Sequence, residues 1–413
     1  MQARKLNRLW LTCAVLACIS GTPINAAQQD VSAHPLAPPS HLTELPKNTP
    51  LDPKIRNVPA TTGRANLPPI PLPFATTSLG TFNSPFAIAV LPANGGILVT
   101  EKAGLLKLRR SDGTVATIIG TPRVKPGGQG GLLDVAIAPD YVSSRTVYLS
   151  YAEPSDGGSQ LSLARAMLDV QGAALRNLFV IWRSGSSGIG GQFGAKILFA
   201  PDGKTLFLST GERQRFTPAQ DPKQALGKIL HLTLDGRAAP GNPIPGGSTV
   251  EAMTWSSGHR NPYGLAFAPD GRLWEEEMGP KGGDEVNLIL PGRNYGWPIV
   301  SNGDNYSGQP IPRHPSRPDL EAPKLWWNPA VSPSGMIYYS GSQFSGFKGS
   351  LLICTMSNPG LAQVAVNGNS ARAVAFFHFD KRLRDIAQGP GGEIYLIEDG
   401  EGARLLRLEP KRP

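Results

Sequence analysis

The stretch Leu265–Gly271, Leu-Ala-Phe-Ala-Pro-Asp-Gly, decides the fold of this chain, because variants of it return along the sequence. In each variant an alternating apolar run leads into a turn rich in Pro, Asp or Gly, and a second apolar run follows. This pattern predicts two strands joined by a tight reversal. The other copies are centred on Pro92, Pro139, Pro201 and Pro390, and a weaker copy starts at Met336.

The spacing of these copies predicts how the strands assemble. Most copies lie about 45 to 70 residues apart, as in folds that repeat one small antiparallel sheet radially. Only 17% of the residues are charged, and the chain has 48 glycines and 40 prolines, as many short strands with tight turns require. We therefore predict an all-β fold over residues 73–413, a six-bladed β-propeller of four-stranded antiparallel sheets.

The residues before the repeats have a different composition. Residues 1–26 combine a basic start, the apolar run Leu9–Ile19 and a small-residue exit, which is the pattern of a secretory signal peptide too short to anchor stably in a membrane. Residues 27–72 are rich in proline and predict a linker or tail. We expect a periplasmic or secreted protein with no integral membrane span. Lipid attachment at Cys18 is the less favoured alternative, since Leu16 fits such a signal poorly.

The distribution of charge argues against a nucleic-acid-binding protein, and the cysteine content argues against a disulfide-stabilised fold. The net charge is +9, but lysine and arginine are scattered, without a basic helix or a run interleaved with aromatic residues. We therefore expect no nucleic-acid partner. After removal of the signal peptide, Cys354 is the one remaining cysteine, so an intramolecular disulfide is excluded and the fold must depend on its apolar core.

Four segments depart from the repeat and place polar groups at the expected blade entrances. A glycine-rich loop lets the backbone approach a ligand and presents the amide of Gln129. Arg260 and Asn261 offer donors suited to carboxylate and carbonyl oxygens. A Gly-Pro pair followed by acidic residues suits a hard cation. Arg382 and Arg384 should project on the same side of a strand. The segments are residues 126–134, 258–264, 277–287 with 294–298, and 381–385.

Each segment alone has an ordinary explanation as a turn or a solvated surface. Together, in this order and with Gly227–Gly236, they resemble the soluble glucose/sorbosone dehydrogenase family, which includes periplasmic aldose sugar dehydrogenases. The resemblance extends from about residue 73 to the C-terminus. It implies a six-bladed quinoprotein that uses pyrroloquinoline quinone (PQQ) and calcium to oxidise the C1 hydroxyl of aldose sugars to lactones. The sugar is then a small-molecule partner, and the electron acceptor is not identified.

The resemblance also implies roles for individual residues. The cofactor-binding positions are Gln129, Arg260, Asn261, Arg382 and Arg384. The carbonyl oxygens of Gly279 and Pro280 fall on the ligands of a calcium ion beside the cofactor. Glu285 and Tyr295 fall near a second, structural calcium. Glu212 falls where the family has an acidic residue in the pocket.

The sequence departs from the family at the position of the general base. Gln192 stands where the family has a histidine, and an amide cannot accept a proton near neutral pH. A positioned base contributes about 10²–10⁴-fold to a rate. Further departures are Met278 beside the Gly-Pro pair, Ala330, and Ser357 in place of a lysine that contacts the cofactor.

Three functions stay open from the sequence. The first is a PQQ-dependent sugar dehydrogenase of altered activity, in which Glu212 or a water replaces the base. The second is a non-catalytic propeller that binds a sugar or other ligand in a calcium-held pocket. The third is a calcium-dependent lactone hydrolase. Since propeller pockets serve many functions, the fold alone does not decide among them.

Overall fold

A computed structural model of the protein describes residues 61–63, 70–93 and 95–411. The expected signal peptide, residues 1–26, and most of the expected linker lie outside the described residues. The strands, in chain order, are β1 (Thr61–Gly63), β2 (Phe74–Phe82), β3 (Pro85–Val90), β4 (Ile97–Glu101), β5 (Leu105–Arg109), β6 (Val115–Ile118), β7 (Leu132–Ile137), β8 (Thr146–Ser155), β9 (Gly158–Asp169), β10 (Ala174–Arg183), β11 (Gly194–Phe199), β12 (Thr205–Thr210), β13 (Lys228–Thr233), β14 (Thr254–Ser257), β15 (Pro262–Phe267), β16 (Leu273–Glu277), β17 (Asp284–Ile289), β18 (Leu325–Trp327), β19 (Pro333–Tyr338), β20 (Ser350–Thr355), β21 (Gly360–Asn367), β22 (Ser370–His378), β23 (Leu383–Gln388), β24 (Ile394–Glu398) and β25 (Ala403–Pro410).

These strands form six sheets, and the predicted six-bladed β-propeller is confirmed. Their orders are β3-β4-β5-β6, β7-β8-β9-β10, β11-β12-β13-β14, β15-β16-β17-β18, β19-β20-β21-β22 and β23-β24-β25-β2. The first strand of each sheet contacts the first strands of the two neighbouring sheets, so these six strands surround the central axis. Each repeated sequence phrase is therefore the innermost strand of one blade and its turn.

Two N-terminal strands join sheets built from distant parts of the chain. Strand β2 pairs antiparallel with β25, with Phe74 opposite Pro410, and completes the last blade. Strand β1, from the expected linker, pairs parallel with β18 and extends the fourth blade at its outer edge. The described helices are short: α1 (Tyr141–Ser144), α2 (Thr249–Met253) and the 3₁₀ turns Thr217–Ala219, His314–Ser316 and Ser345–Phe347. Among the described residues, none of them has the length and apolarity needed to cross a bilayer.

The apolar alternation of the strands fills the space between blades. Trp274 and Trp327 are fully buried with Val286, Leu351 and the apolar residues around them, between the fourth and fifth blades. Removing this apolar surface from water is the main source of stability in such a fold. Cys354 is buried and unpaired, as expected.

Each of the six innermost strands has a register shift within its first residues. In three blades a hydroxyl of the second strand accepts the freed backbone N–H: Thr100 from Ala87, Ser150 from Asp134 and Ser209 from Lys196, at 2.9–3.0 Å. A bulge bends a strand and re-aims its side chains. The shifts thus lie where the predicted site residues enter the central region.

Candidate active site

The glycine-rich loop brings Gln129 directly against Gln192. The Gln129 side-chain oxygen accepts hydrogen bonds from the Gln192 backbone N–H at 2.6 Å and from the Tyr263 hydroxyl at 3.0 Å. A Cβ at Gly191 would lie 3.0 Å from the Gln129 amide carbon, a tight contact that glycine avoids. The structure therefore places two residues predicted from different motifs side by side.

The loop that carries Gln192 is held by Arg213, which sequence reasoning missed. The Arg213 guanidinium donates to the carbonyls of Ser159, Gly188, Gly190 and Gly191 at 2.9–3.1 Å. It also lies 3.8 Å from the centroid of the Phe193 ring, a cation–π contact. Gln192 itself is buried in the left-handed region (φ 54°). Its side-chain oxygen has no hydrogen-bond partner among the described residues.

Glu212 is buried beside this loop, and its carboxylate accepts hydrogen bonds from the main chain. It accepts from the backbone N–H groups of Gln214 at 3.1 Å, Arg215 at 2.5 Å and Phe216. Burial raises the pKa of Glu212, while the charge of Arg260 and these donors oppose the shift. These three donors hold Glu212 against the loop and leave about one of the four lone-pair sites of its carboxylate for another group.

Glu277, a residue not predicted for the site, positions Arg260 and Asn261. One Glu277 oxygen accepts from both of their backbone N–H groups, at 2.5 and 3.1 Å. The Arg260 guanidinium donates to the carbonyls of Met278 at 3.0 Å and Gly279 at 2.6 Å. The Asn261 side-chain oxygen accepts from the Gly194 N–H at 3.2 Å, next to Gln192. These bonds connect the third and fourth blades at the site.

Arg382 and Arg384 reach one carboxylate, that of Asp399, which was also missed. The Arg382 and Arg384 side chains lie 3.1 and 2.7 Å from its oxygens. Burial would raise the pKa of Asp399, but the two arginines outweigh burial and lower it. The sequence gives no signal for Asp399 beyond its place in the turn after β24. Two arginines that share one carboxylate leave a net positive charge for an anionic ligand.

A chain of side-chain contacts joins this pair to the glycine-rich loop. The Arg384 guanidinium lies 5.5 Å from the centroid of the Phe86 ring, and the Phe86 and Tyr263 rings are 5.7 Å apart. The Tyr263 hydroxyl then donates to Gln129. The predicted amide and guanidinium groups therefore converge from separate blades, as binding of a flat, multiply anionic quinone requires.

A cluster of buried acidic side chains lies behind Arg260. Glu277 and Glu285 are paired across β16 and β17, and so are Glu275 and Asn287. Ligand atoms of His259, Glu275 and Glu277 lie within 4.8 Å of one another. Burial, together with repulsion from Glu277, raises the pKa of both Glu275 and Glu285 well above the ordinary value.

Unpartnered oxygens show that this cluster fits a cation. One oxygen of Glu275 and the side-chain oxygen of Asn287 have no hydrogen-bond partner within the described ranges. A cavity of about 10 Å³ lies beside Glu277, Glu285 and Tyr295, room for one water or ion. Buried carboxylate, amide and carbonyl oxygens are ligands that calcium prefers. Of these acidic residues, sequence reasoning singled out only Glu285, although the run Glu275–Glu277 was a signal.

The other predicted metal ligands fit less simply. The Tyr295 hydroxyl donates to the Leu288 carbonyl at 2.5 Å and accepts from the Leu290 N–H at 2.9 Å. The group left to reach a metal is the Tyr295 carbonyl, which also lies 3.2 Å from His314 Nε2. The Gly279 carbonyl accepts from Arg260, so a cation there would displace this guanidinium. Pro280 is buried next to it.

Comparisons with known proteins agree with these motifs. The chain is 35% identical to the aldose sugar dehydrogenase YliI of Escherichia coli over 336 residues, covering 79% of this chain and 90% of that protein. It is 26% identical to the quinoprotein glucose dehydrogenase B of Acinetobacter calcoaceticus, covering 78% and 85%. The solved PQQ-bound aldose sugar dehydrogenase of Streptomyces coelicolor has 30% identity and a TM-score of 0.68, covering 82% of this chain and 99% of that one.

The match also extends to the family as a whole. A family model described as glucose/sorbosone dehydrogenase matches residues 82–407, which spans all six blades. The motifs, the fold and these comparisons agree, and the chain belongs to the glucose/sorbosone dehydrogenase family.

Proposed function

We propose that the protein is a periplasmic or secreted dehydrogenase that uses PQQ and calcium to oxidise the C1 hydroxyl of aldose sugars to lactones. The observation that carries this proposal is the convergence of Gln129, Arg260, Asn261, Arg382 and Arg384 from separate blades, joined by contacts of 2.6 to 5.7 Å. It is supported by relatives named as aldose sugar dehydrogenases and by one solved with PQQ bound.

Separate groups of residues would bind the cofactor, orient it and hold the two calcium ions. When bound, PQQ supplies the chemistry of hydride acceptance from a sugar C1–H. Arg382, Arg384 and Gln129 would bind its carboxylates and carbonyls, and Arg260 with Asn261 would orient the ring. The Gly279 and Pro280 carbonyls would hold calcium at the cofactor. Glu285, with Glu275, Glu277 and the Tyr295 carbonyl, would hold the second calcium.

The proton of the sugar hydroxyl needs a different acceptor from the family's histidine. The Gln192 amide cannot accept it near neutral pH, and the Glu212 oxygens already accept main-chain N–H groups. We assign the proton to water. The buried, unpartnered Gln192 oxygen would help orient that water or the sugar hydroxyl. The expected consequence is slow turnover.

Reconstitution tests this proposal. The purified protein is mixed with PQQ and calcium, and dye reduction is followed with a panel of aldoses. Turnover that requires both PQQ and calcium is the expected result. PQQ binding without turnover on any aldose would favour a non-catalytic binding protein, which is the function that Gln192 in place of the base histidine would favour. Lactone hydrolysis that requires calcium and not PQQ would favour the hydrolase.

Restoring the base gives a sharper test. Gln192→His should raise turnover by at least about tenfold, a modest share of the roughly 10²–10⁴-fold that a positioned base supplies. The control is Gln192→Asn, which keeps an amide and should give no gain. If Gln192→His also gives no gain in PQQ-loaded protein, another group already removes the proton and the assignment to water is wrong.

A further inference from the structure

A second cavity lies on the outer side of the third blade, apart from the central site. It has a volume of about 190 Å³ and lies beside β14 and the loop that follows β17. Trp255, Pro243 and Ile244 form apolar parts of its wall, and Gln220, Thr254 and Arg293 are among the polar residues. None of these residues has a place in the proposed reaction.

Arg293 is the unusual member of this wall. The residue is only 6% exposed, yet its side chain has no hydrogen bond and no ion pair within the part of the chain that the structure describes. Glu321 is close enough that both it and Arg293 act electrostatically on the Tyr295 hydroxyl. One Glu321 oxygen is paired with Lys324 at 2.6 Å, the other has no hydrogen-bond partner among the described residues, and no ion pair joins Glu321 to Arg293. A buried charge without a partner is costly, so a buried arginine beside open space is suited to receive an anion.

The neighbouring polar groups already have partners in the protein. The Lys228 ammonium donates to the carbonyls of Pro218, Ala219 and Leu226 at 2.8–3.0 Å. The Gln220 and Asn294 amides bond each other at 2.6 and 2.9 Å. Arg293 is thus the cation of this wall that still has free donors.

We propose that this cavity binds a small molecule through a carboxylate or phosphate group, which pairs with the Arg293 guanidinium while its carbon body lies against Trp255 and Ile244. The planar guanidinium can bind two oxygens of either group at once. The cavity holds a small organic anion and leaves no room for a macromolecule. Glu251, at the same wall and held by the Ser248 N–H at 3.0 Å, opposes anion binding and sets its strength.

Thermal unfolding and calorimetry test this proposal without reference to catalysis. The full chain is titrated with sodium gluconate and with inorganic phosphate, each against sodium chloride at matched ionic strength. We expect one of these anions to raise the Tm and to bind with one-to-one stoichiometry. The two arms separate a carboxylate ligand from a phosphate ligand.

Two variants and a control identify the residue responsible. Arg293→Gln should weaken binding about ten- to hundredfold, without lowering the Tm in chloride, because the arginine has no partner to lose. Glu251→Gln should strengthen binding about twofold. The control Arg237→Gln removes an exposed arginine of the same blade and should leave affinity unchanged. No stabilisation by either anion, or equal stabilisation of the wild type and Arg293→Gln, would overturn the proposal.

Discussion

Two groups of buried carboxylates lie on opposite faces of strand β16, and they differ in one respect. On one face, Lys196 lies 3.2 Å from Asp134 and 3.7 Å from Asp385, near Glu276. On the other face, Glu275, Glu277 and Glu285 have no lysine or arginine within ion-pair distance in the described chain. The first cluster has its cation built in. The second contains no such cation, and one oxygen of Glu275 and the side-chain oxygen of Asn287 lack a hydrogen-bond partner there within the described residues, as both oxygens of Glu276 do in the first cluster.

The largest expected effect comes from removing the lysine of the first cluster, so that its buried acids, like those of the second, have no cationic side chain. Burial alone would lower the pKa of Lys196, but the charges of Asp134 and Asp385 raise it. Lys196→Met leaves these acids without compensation and should lower the free energy of unfolding by about 3–5 kcal/mol. Chemical denaturation measures this loss.

The matched control removes an exposed lysine that also faces a carboxylate. Lys381 is 52% exposed and 3.9 Å from Glu398, and its replacement by Met should cost about 0–1 kcal/mol. Equal losses for both variants would mean that Lys196 does not stabilise the first cluster.

The second prediction supplies the missing cation to the second cluster. Calcium at about a hundredfold excess over its Kd should raise the free energy of unfolding of the wild type by about 2.7 kcal/mol per site. Glu285→Gln should lose much of this gain, which thermal denaturation with and without a chelator measures. Glu276→Gln, on the opposite face of β16, is the control and should keep the full response. If Glu276→Gln alone lost the response, calcium would bind at the first cluster and the prediction would be wrong.

The third prediction uses pH to examine the first cluster. Burial raises the pKa of Asp385 from 3.8 to about 6, although Lys196 opposes the shift. The folded protein therefore binds this proton more tightly than the unfolded chain, and stability falls as the pH rises from about 4 to about 6. Asp385→Asn should remove on the order of 1–3 kcal/mol of this decline. A decline that is unchanged in Asp385→Asn would assign it to other groups.

The sequence predicted the repeated strands better than their local irregularities. The phrase at Leu265–Gly271 and its copies determine blade number, because period-2 alternation depends only on residue order. The register shifts at the starts of the innermost strands were not predictable, since they depend on contacts such as the Ser209 hydroxyl with the Lys196 N–H across strands. The pairing of β1 with β18 likewise joins segments more than 250 residues apart.

The same division applies to the site. Motifs singled out Gln129, Arg260 and Arg384, because these residues lie in short recognisable runs. Asp399 and Arg213 were missed, because their roles come from partners that only folding brings near. For Tyr295, the motif gave no sign that the hydroxyl is already bonded, because its partners lie on β17 and the turn that follows it.

Direct titration with PQQ tests whether the converging arginine and amide groups bind the cofactor. In the presence of calcium, absorbance or fluorescence should show one PQQ bound per chain at micromolar concentration, and chelation should weaken the binding. Arg384→Gln should weaken it about ten- to hundredfold, while Arg404→Gln, which removes a half-exposed arginine paired with Glu398, should not. Absence of PQQ binding by the calcium-loaded wild type at micromolar concentration, or equal affinity in Arg384→Gln, would contradict the account.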